Sequence, residues 1–411
     1  MKIGFLGNAG NSPFLMARAI QSLGHEVVFV IDSPHRINRP ESRYKDITLP
    51  YPSWVVDCSP LDLWQYPPDL LKIEKVVKAL SDCDALVLNE FGLSLWGALK
   101  KPAFALLTGT DIEVLADFRY ADFATGGWAA PVGLLKKIRF WKQRRSQREL
   151  KVHLLHKIGE QRDAIRHAVG VHYFPAGMLP NADRILTELE VDRDRRVFFF
   201  PAEMRYAYAA YPENRTLRLF NVARITWRKS SVPFLCELDY KGTDVLIRGL
   251  GLFVRESRIP IEIRLVKKGA DLEMTRQLID EEGLAPYVTW LEEMDHSKLY
   301  DEYKNADVVT DHFGQGSIGM GALDALAVGR PVIANGSPAV FRKALGEEPP
   351  ICHAITAEDV RNQLLKLATN RALRESIGKQ SRLYVEKYCN PVLGAKIILE
   401  KLGPHAESRL R

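Results

Sequence analysis

The chain is predicted to be an α/β protein of two doubly wound parallel-sheet domains facing a central cleft. Two observations carry that expectation. Short apolar, β-rich runs alternate with amphipathic helical patterns, and the alternation stops in a Tyr-, Ala- and Pro-rich stretch at 201–216 before starting again. The length of 411 residues is that of two to three domains at about 150 residues each.

In the first half the apolar runs are IGFLG (3–7), VVFVID (27–32), ALVLNE (85–90), FALLTG (104–109), VGVHYF (169–174) and VFFFP (197–201). Continuous rather than alternating hydrophobicity suits parallel strands covered on both faces. Between them, Phe14, Ala17, Ile20 and Leu23 recur every three residues, and Leu70, Ile73, Val76, Val77 and Leu80 are interleaved with charges, so helices are expected over 13–24 and 68–82. The second half repeats the scheme with runs beginning at Leu217, Ile261, Tyr287, Ala306 and Pro331. Helices are expected there over 243–256, 271–283, 296–304 and 321–328, and one long helical stretch over about 371–402. The expected division is 1–205, 206–385, and a last helix in 386–411 that returns to the first, Rossmann-like domain. In open parallel sheets ligands bind beyond the carboxyl ends of the strands, which would place a site in the cleft.

Composition narrows the function classes. With 46% hydrophobic and 26% charged residues the chain is neither disordered nor fibrous, and a net charge of +6 is too small for a nucleic-acid coat. Cys58, Cys83, Cys236, Cys352 and Cys389 include no C-x-x-C pair, which points to a reducing compartment rather than a disulfide framework or a zinc site. The first apolar run is broken by Gly7, Asn8, Asn11 and Ser12, so it reads as folded protein and not as a signal peptide. No apolar stretch reaches the length of a spanning helix, and a cytoplasmic protein, peripheral at most on the inner face of a membrane, is expected.

Two glycine-rich loops hold the chemistry. The opening loop, Gly4 to Gly10, has the spacing G-x-x-G-x-x-G, and the second apolar run ends in Asp32. That departs from the dinucleotide fingerprint G-x-G-x-x-G, so Gly7 and Asn8 are read as cleft residues, and a nicotinamide enzyme using Gly7 and Asp32 is kept as an alternative. The richer segment is DVVTDHFGQGSIGMGALDALAVGRPVIANG (307–336). A buried strand ends at Asp311, glycines 314, 316, 319 and 321 form a loop, and a helix is expected to open near Gly321. Loop amides and a helix N-terminus together make an anion site, with Asp324 in the first turn able to accept hydrogen bonds from vicinal hydroxyls.

The pattern ALDALAVGRPVIANG resembles the donor-site signature of the GT-B glycosyltransferases, particularly the large retaining group 1, which typically reads LEAMA-x-G-x-PVI. LRLFNVARITWR (217–228) and the segment from Tyr240 to Ile247 are similar to that family's Arg and Lys-Gly segments. More loosely, Leu107 to Asp111 resembles a Gly-Thr-Asp turn of bacterial members. The resemblance implies a nucleoside-diphosphate sugar as donor, with Arg224 and Lys241 on the pyrophosphate, Gly316, Ser317 and Gly319 approaching it, and Asp324 on the ribose. Asp311 and Asp111 are the weaker candidates for sugar or acceptor contacts. It also implies transfer with retention to a glycan or lipid-linked acceptor, without a metal or other cofactor. One position departs from the family: of its two glutamates seven residues apart, the second is Asp324 and the first is Gly316. A same-fold epimerase or hydrolase and a non-catalytic nucleotide-sugar-binding scaffold therefore stay open.

Other constellations are read as structural. Asp82/Asp84 and Asp192/Asp194 precede strands, where a metal-binding Asp-x-Asp would follow one. His153 and His156 lack a third ligand nearby, and Gln315 stands where a G-x-S-x-G elbow at Ser317 needs glycine. The run 134–157 carries nine Lys and Arg against Glu149, with Leu134, Leu135, Ile138 and Trp141 able to share a face. It suits an anionic membrane surface, and equally a surface helix with intramolecular ion pairs, with polyanion binding as a third option.

Overall fold

A computed structural model describes residues 1–126, 134–228, 240–314, 316 and 318–407, with side chains described throughout except at 134–145 and 406–407. The chain divides into two compact units. The first comprises Met1–Tyr173, Asn181–Val197 and Ala395–Arg411, the second Phe174–Pro180 and Phe198–Gly394.

The first unit holds a seven-stranded parallel sheet in the order β3-β2-β1-β4-β5-β6-β7. Its strands are β1 (Lys2–Leu6), β2 (Glu26–Ile31), β3 (Val55–Asp57), β4 (Ala85–Leu88), β5 (Ala103–Leu106), β6 (Gly170–His172) and β7 (Arg196–Val197). The central strands β1, β4 and β5 are buried almost residue for residue, which is why their sequences run apolar without alternation. Helices α1 (Ser12–Ser22), α2 (Leu70–Leu80), α3 (Trp96–Leu99), α4 (Thr110–Glu113), α5 (Arg119–Thr125), α6 (Leu134–His167) and α7 (Pro180–Glu188) connect them. The stretch VFFFP was expected to be a full strand, but pairing ends at Val197: β7 is a two-residue edge, and Phe198 and Phe200 instead pack their rings against Phe341 in the second unit's own core.

The second unit is a six-stranded parallel sheet, β10-β9-β8-β11-β12-β13. Its strands are β8 (Leu217–Asn221), β9 (Ile261–Val266), β10 (Val288–Leu291), β11 (Val308–Thr310), β12 (Val332–Ala334) and β13 (Ile351–His353). Helices α8 (Thr243–Glu256), α9 (Leu272–Glu281), α10 (His296–Asn305), α11 (Met320–Val328), α12 (Pro338–Leu345), α13 (Ala357–Ala368) and α14 (Arg371–Tyr388) surround it, and α15 (Pro391–Glu407) follows. The single terminal helix expected over 371–402 is two: α14 ends at Tyr388 and α15 restarts at Pro391, since proline lacks the N–H a continuing helix needs but is tolerated in a first turn. From Ala322 to Val328 every residue of α11 is buried, so this short helix forms the centre of the unit and not a surface stripe. No helix among the described residues is long and apolar enough to cross a membrane.

Candidate functional site

In the second unit, three chain segments are tied together at the carboxyl ends of adjacent strands. The ends of β8 and β11 are laced by the Thr310 hydroxyl, which donates to buried Asn221 Oδ1 at 3.1 Å, and by the Val222 N–H bonding to Thr310 O. Past β8 the chain is held by Asp271, whose carboxylate accepts from the Trp227 and Arg228 N–H groups at 2.8 and 3.0 Å and pairs with the Arg228 guanidinium. Burial would raise the Asp271 pKa, but these hydrogen bonds win and hold it below the usual carboxylate range. Arg224, exposed, is presented at the start of this segment. The backbone of Lys241 straps the other two segments, its N–H donating to Thr226 O at 2.7 Å and its C=O accepting from Phe313 N–H at 2.8 Å. Arg224, Lys241 and the glycine loop after β11 thus belong to one local structure.

Steric fit explains the glycines of that loop. A Cβ on Gly314 would overlap the Tyr240 carbonyl oxygen, and one on Gly319 would overlap the Asp311 carboxylate. Asp311, 4% exposed, reaches the N-terminus of α11 and accepts from the Ala322 N–H at 3.2 Å. It therefore acts as a positioning group for the helix. The two preceding amides, of Met320 and Gly321, make no hydrogen bond to a described residue and lie at the positive end of the helix dipole. The helix opens at Met320, with Gly319 as its N-cap, so Asp324 lies in the second turn and not in the first as expected. It is 3% exposed. Ser317 lies outside the described residues.

Arg330 and Ser337 could not be assigned from spacing. Arg330 is fully buried, with no carboxylate among the described residues at its guanidinium, and Ser337 adopts a left-handed backbone at φ 34°. Arg330 lies within the stretch that carries the resemblance and Ser337 directly after it, and only their tertiary neighbours distinguish them.

The first unit's opening loop is closed on itself. The Ala9 N–H donates to Asn89 Oδ1 at 2.9 Å and the Gly10 N–H to Asn38 Oδ1 at 3.0 Å, so two amides a phosphate would need are already bonded. Asn8 gives its amide to Asn11 Oδ1 and Asn38 O and accepts from Phe14 N–H. A dinucleotide cradle is not formed here. Gly7, at φ +91°, is required by the close approach of the Asn89 carbonyl.

Beside that loop three acids gather at the strand ends. Asp111 is fully buried and accepts from the Thr108 and Gly109 N–H groups and from Asn89 Nδ2. Glu90, at φ +51°, accepts from the Thr108 hydroxyl at 3.4 Å. Burial, and then the Asp111 charge, raises the Glu90 pKa, while burial alone outweighs the hydrogen bonds to raise Asp111. Burial likewise pushes Asp32 up to about 6. Sequence reading found Asp111 and Asp32 but missed Glu90 and the linking Asn89, which sit at the end of an apolar run without a motif of their own.

A raised pKa has a definite sign for stability. The unfolded Asp32 carboxyl ionises near 4 and the folded one near 6, so its protonated form favours folding and that contribution is lost as pH rises from about 4 through 6. Asp32→Asn is accordingly expected to stabilise the first unit by about 1–3 kcal/mol at pH 7.5, shrinking towards zero at pH 4.5. Urea unfolding of both chains across that range checks it, and a gain independent of pH would contradict the assignment.

Of the basic run, the side chains at 134–145 lie outside the described residues. Lys151 pairs with Asp122 and Lys157 with Glu160, while Leu154, Ile158 and Ile165 of the same helix are buried. The part of α6 whose side chains are described thus packs one face into the first unit.

Comparison with known proteins adds a family pattern and a fold. Residues 230–384 match the family model described as glycosyl transferases group 1, over somewhat more than a third of the chain. A search of functionally curated proteins finds no match. Among solved structures, the chain is similar to sucrose-phosphate synthase from Thermosynechococcus elongatus (TM-score 0.59, 14% identity, covering 98% of this chain and 99% of that one). It is likewise similar to Anabaena Alr3699/HepE, solved in complex with UDP-glucose (TM-score 0.62, 14% identity, 98% and 100%). A third is WaaG, a glycosyltransferase involved in lipopolysaccharide biosynthesis (TM-score 0.55, 14% identity, 97% and 99%). At such identity the likeness establishes the fold. The chain is therefore a protein of the GT-B fold, and its second unit carries, over 230–384, the sequence pattern of the group 1 glycosyl transferases.

Proposed function

We propose that the protein is a glycosyltransferase that moves a sugar from a nucleoside diphosphate to a glycan or lipid-linked acceptor in cell-envelope polysaccharide synthesis. The observation that carries this reading is the single local structure formed by the Arg224 segment, Lys241 and the glycine loop, beside which the first two α11 amides make no hydrogen bond to a described residue. As the bond from the sugar to the diphosphate breaks, negative charge gathers on the leaving phosphate. Arg224 and Lys241 neutralise that charge, and the Met320 and Gly321 amides add the positive end of the α11 dipole. In this reading the two cations and the two amides stabilise the leaving group without a metal. Asp324 holds the ribose hydroxyls, and Gly316 and Gly319 let the backbone approach the phosphates. The first unit receives the acceptor near Asp111, with Gly7 and Asn8 shaping the adjoining loop, and the basic run 134–157 lies against an anionic membrane surface.

Uridine nucleotides are the first to test, since the structurally similar Alr3699/HepE was solved with UDP and with UDP-glucose. A thermal-shift panel of UDP, GDP, ADP, their glucose or mannose conjugates and NAD is expected to single out one nucleoside diphosphate and its conjugates. A ligand at a hundred times its Kd stabilises by about 2.7 kcal/mol, well within reach of such a measurement. A response to NAD alone, or to none of them, would refute the reading. Binding without turnover on any acceptor would favour the scaffold, and turnover of the donor without an acceptor the epimerase or hydrolase.

A further inference from the structure

The turn that follows β12 is bonded on three sides. Asn335 donates its N–H to His312 O at 3.1 Å and its side-chain amide to Gly314 O at 3.1 Å, and the Gly336 N–H donates to His353 Nδ1 at 3.3 Å. The next residue, Ser337, is held at φ 34° and ψ 59°, a left-handed conformation that costs a non-glycine residue energy and persists only where the surroundings impose it.

Ser337 is the N-cap of α12, where a serine hydroxyl ordinarily accepts from an amide of the first helical turn. Here it does not, and it makes no hydrogen bond to any other described residue. The hydroxyl lies instead against the glycine loop. A Cβ built on Gly316 would overlap Ser337 Oγ and come within 2.9 Å of Ser337 Cβ and 3.7 Å of Asn335 Oδ1. A half-buried hydroxyl that leaves its own helix uncapped, on a turn pinned to the loop it faces, is a group placed for something other than stability.

Strand order gives it a side. Arg224 follows β8, the glycine loop follows β11 and this turn follows β12, and those three strands are consecutive in the sheet. The cations therefore flank the loop from β8, and the turn flanks it from β12, with neighbouring strands about 4.8 Å apart. The turn itself offers only neutral groups, the Ser337 hydroxyl and the Asn335 amide, while His353 Nδ1 is an acceptor already bonded. A phosphate is better matched on the cationic side, and a sugar hydroxyl, both donor and acceptor, on this one.

We propose that Ser337, with Asn335 beside it, is a specificity-determining contact to a hydroxyl of the sugar carried on the nucleoside diphosphate. This rests on the donor site proposed above. The test is calorimetric titration of the full chain, wild type and Ser337→Gly, with UDP and UDP-glucose, and in parallel with GDP and GDP-mannose and with ADP and ADP-glucose. Glycine tolerates the left-handed backbone, so the turn is kept while the hydroxyl is removed. S337A gives a second deletion of the same group.

The expected result is a Kd for the conjugate raised about 3- to 10-fold in both variants, the loss of one neutral hydrogen bond, with the Kd of the bare nucleoside diphosphate unchanged. Equal weakening of conjugate and bare diphosphate would place Ser337 on the phosphates and overturn the proposal, as would no change in either. Wild-type protein that binds none of the three nucleoside diphosphates would instead overturn the donor site itself.

Discussion

Replacing Arg330 by methionine is expected to destabilise the second unit by about 3–5 kcal/mol. The guanidinium is fully buried and has no carboxylate partner among the described residues; all five of its donors are taken by main-chain carbonyls. Nε donates to Tyr303 O at 3.0 Å, Nη1 to Ala209 O and Gly329 O at 3.0 Å, and Nη2 to Ala210 O at 2.8 Å and Lys304 O at 2.9 Å. Those carbonyls belong to the 209–210 stretch, the end of α10 and the turn after α11, so one side chain closes three chain segments around the centre of the unit. Methionine fills much of the volume but removes all five donors, two of them from hydrogen bonds that are fully buried. Lysine keeps the charge with three donors and is expected to fall between methionine and wild type. Urea unfolding followed by circular dichroism measures the loss, and an unchanged midpoint for R330M would show that the carbonyls find other partners.

Lys241→Ala is expected to reduce sugar transfer by about 100- to 1000-fold while leaving the fold intact, the range seen when one group that stabilises developing charge is removed. The two halves of that expectation come from different parts of the residue. The fold depends on the Lys241 main chain, which bonds to Thr226 and Phe313 and survives the substitution. Catalysis, in the proposed reading, depends on the ammonium group at the leaving phosphate. Initial rates of nucleoside-diphosphate release, with the melting temperature as a control on folding, separate the two. Wild-type turnover in K241A would remove this lysine from the donor site. A fall in turnover matched by a fall in melting temperature would make its role structural.

The first sheet was legible because parallel strands buried on two faces write themselves as near-unbroken apolar runs, as β1, β4 and β5 do, and the second because β8, β9 and β11 remain mostly apolar although Arg218, Glu262 and Arg264 interrupt them. The two strands that could not be read, β3 and β13, are three-residue edges. Val55–Asp57 and Ile351–His353 are too short to show a period and owe their pairing to a neighbour already in place. The glycine loop and the helix after it were legible for a different reason. Glycine at 314, 316 and 319 reflects close approach of other atoms, and such approaches leave a mark in sequence even when the approaching atoms are unknown.

What the amino-acid order determined alone was the alternation of strand and helix, the restart after the stretch at 201–216, and a glycine-rich connection running from a buried strand into a helix. What only the tertiary structure decided was the use of individual polar groups. Arg330 reads as one more cation, yet it is a buried bracket for main-chain carbonyls. Asn38 and Asn89 carry no motif in the sequence, yet they fill the Ala9 and Gly10 amides that a dinucleotide would have used. Asp271 holds the Arg224 segment from a connection some forty residues away, and Ser337 turns its hydroxyl from its own helix to the loop beside it. Hydrophobic pattern is a local property, repeated along the chain, and survives in sequence. A hydrogen bond is a pairing of two particular atoms, and which atoms meet is known only when the chain has folded.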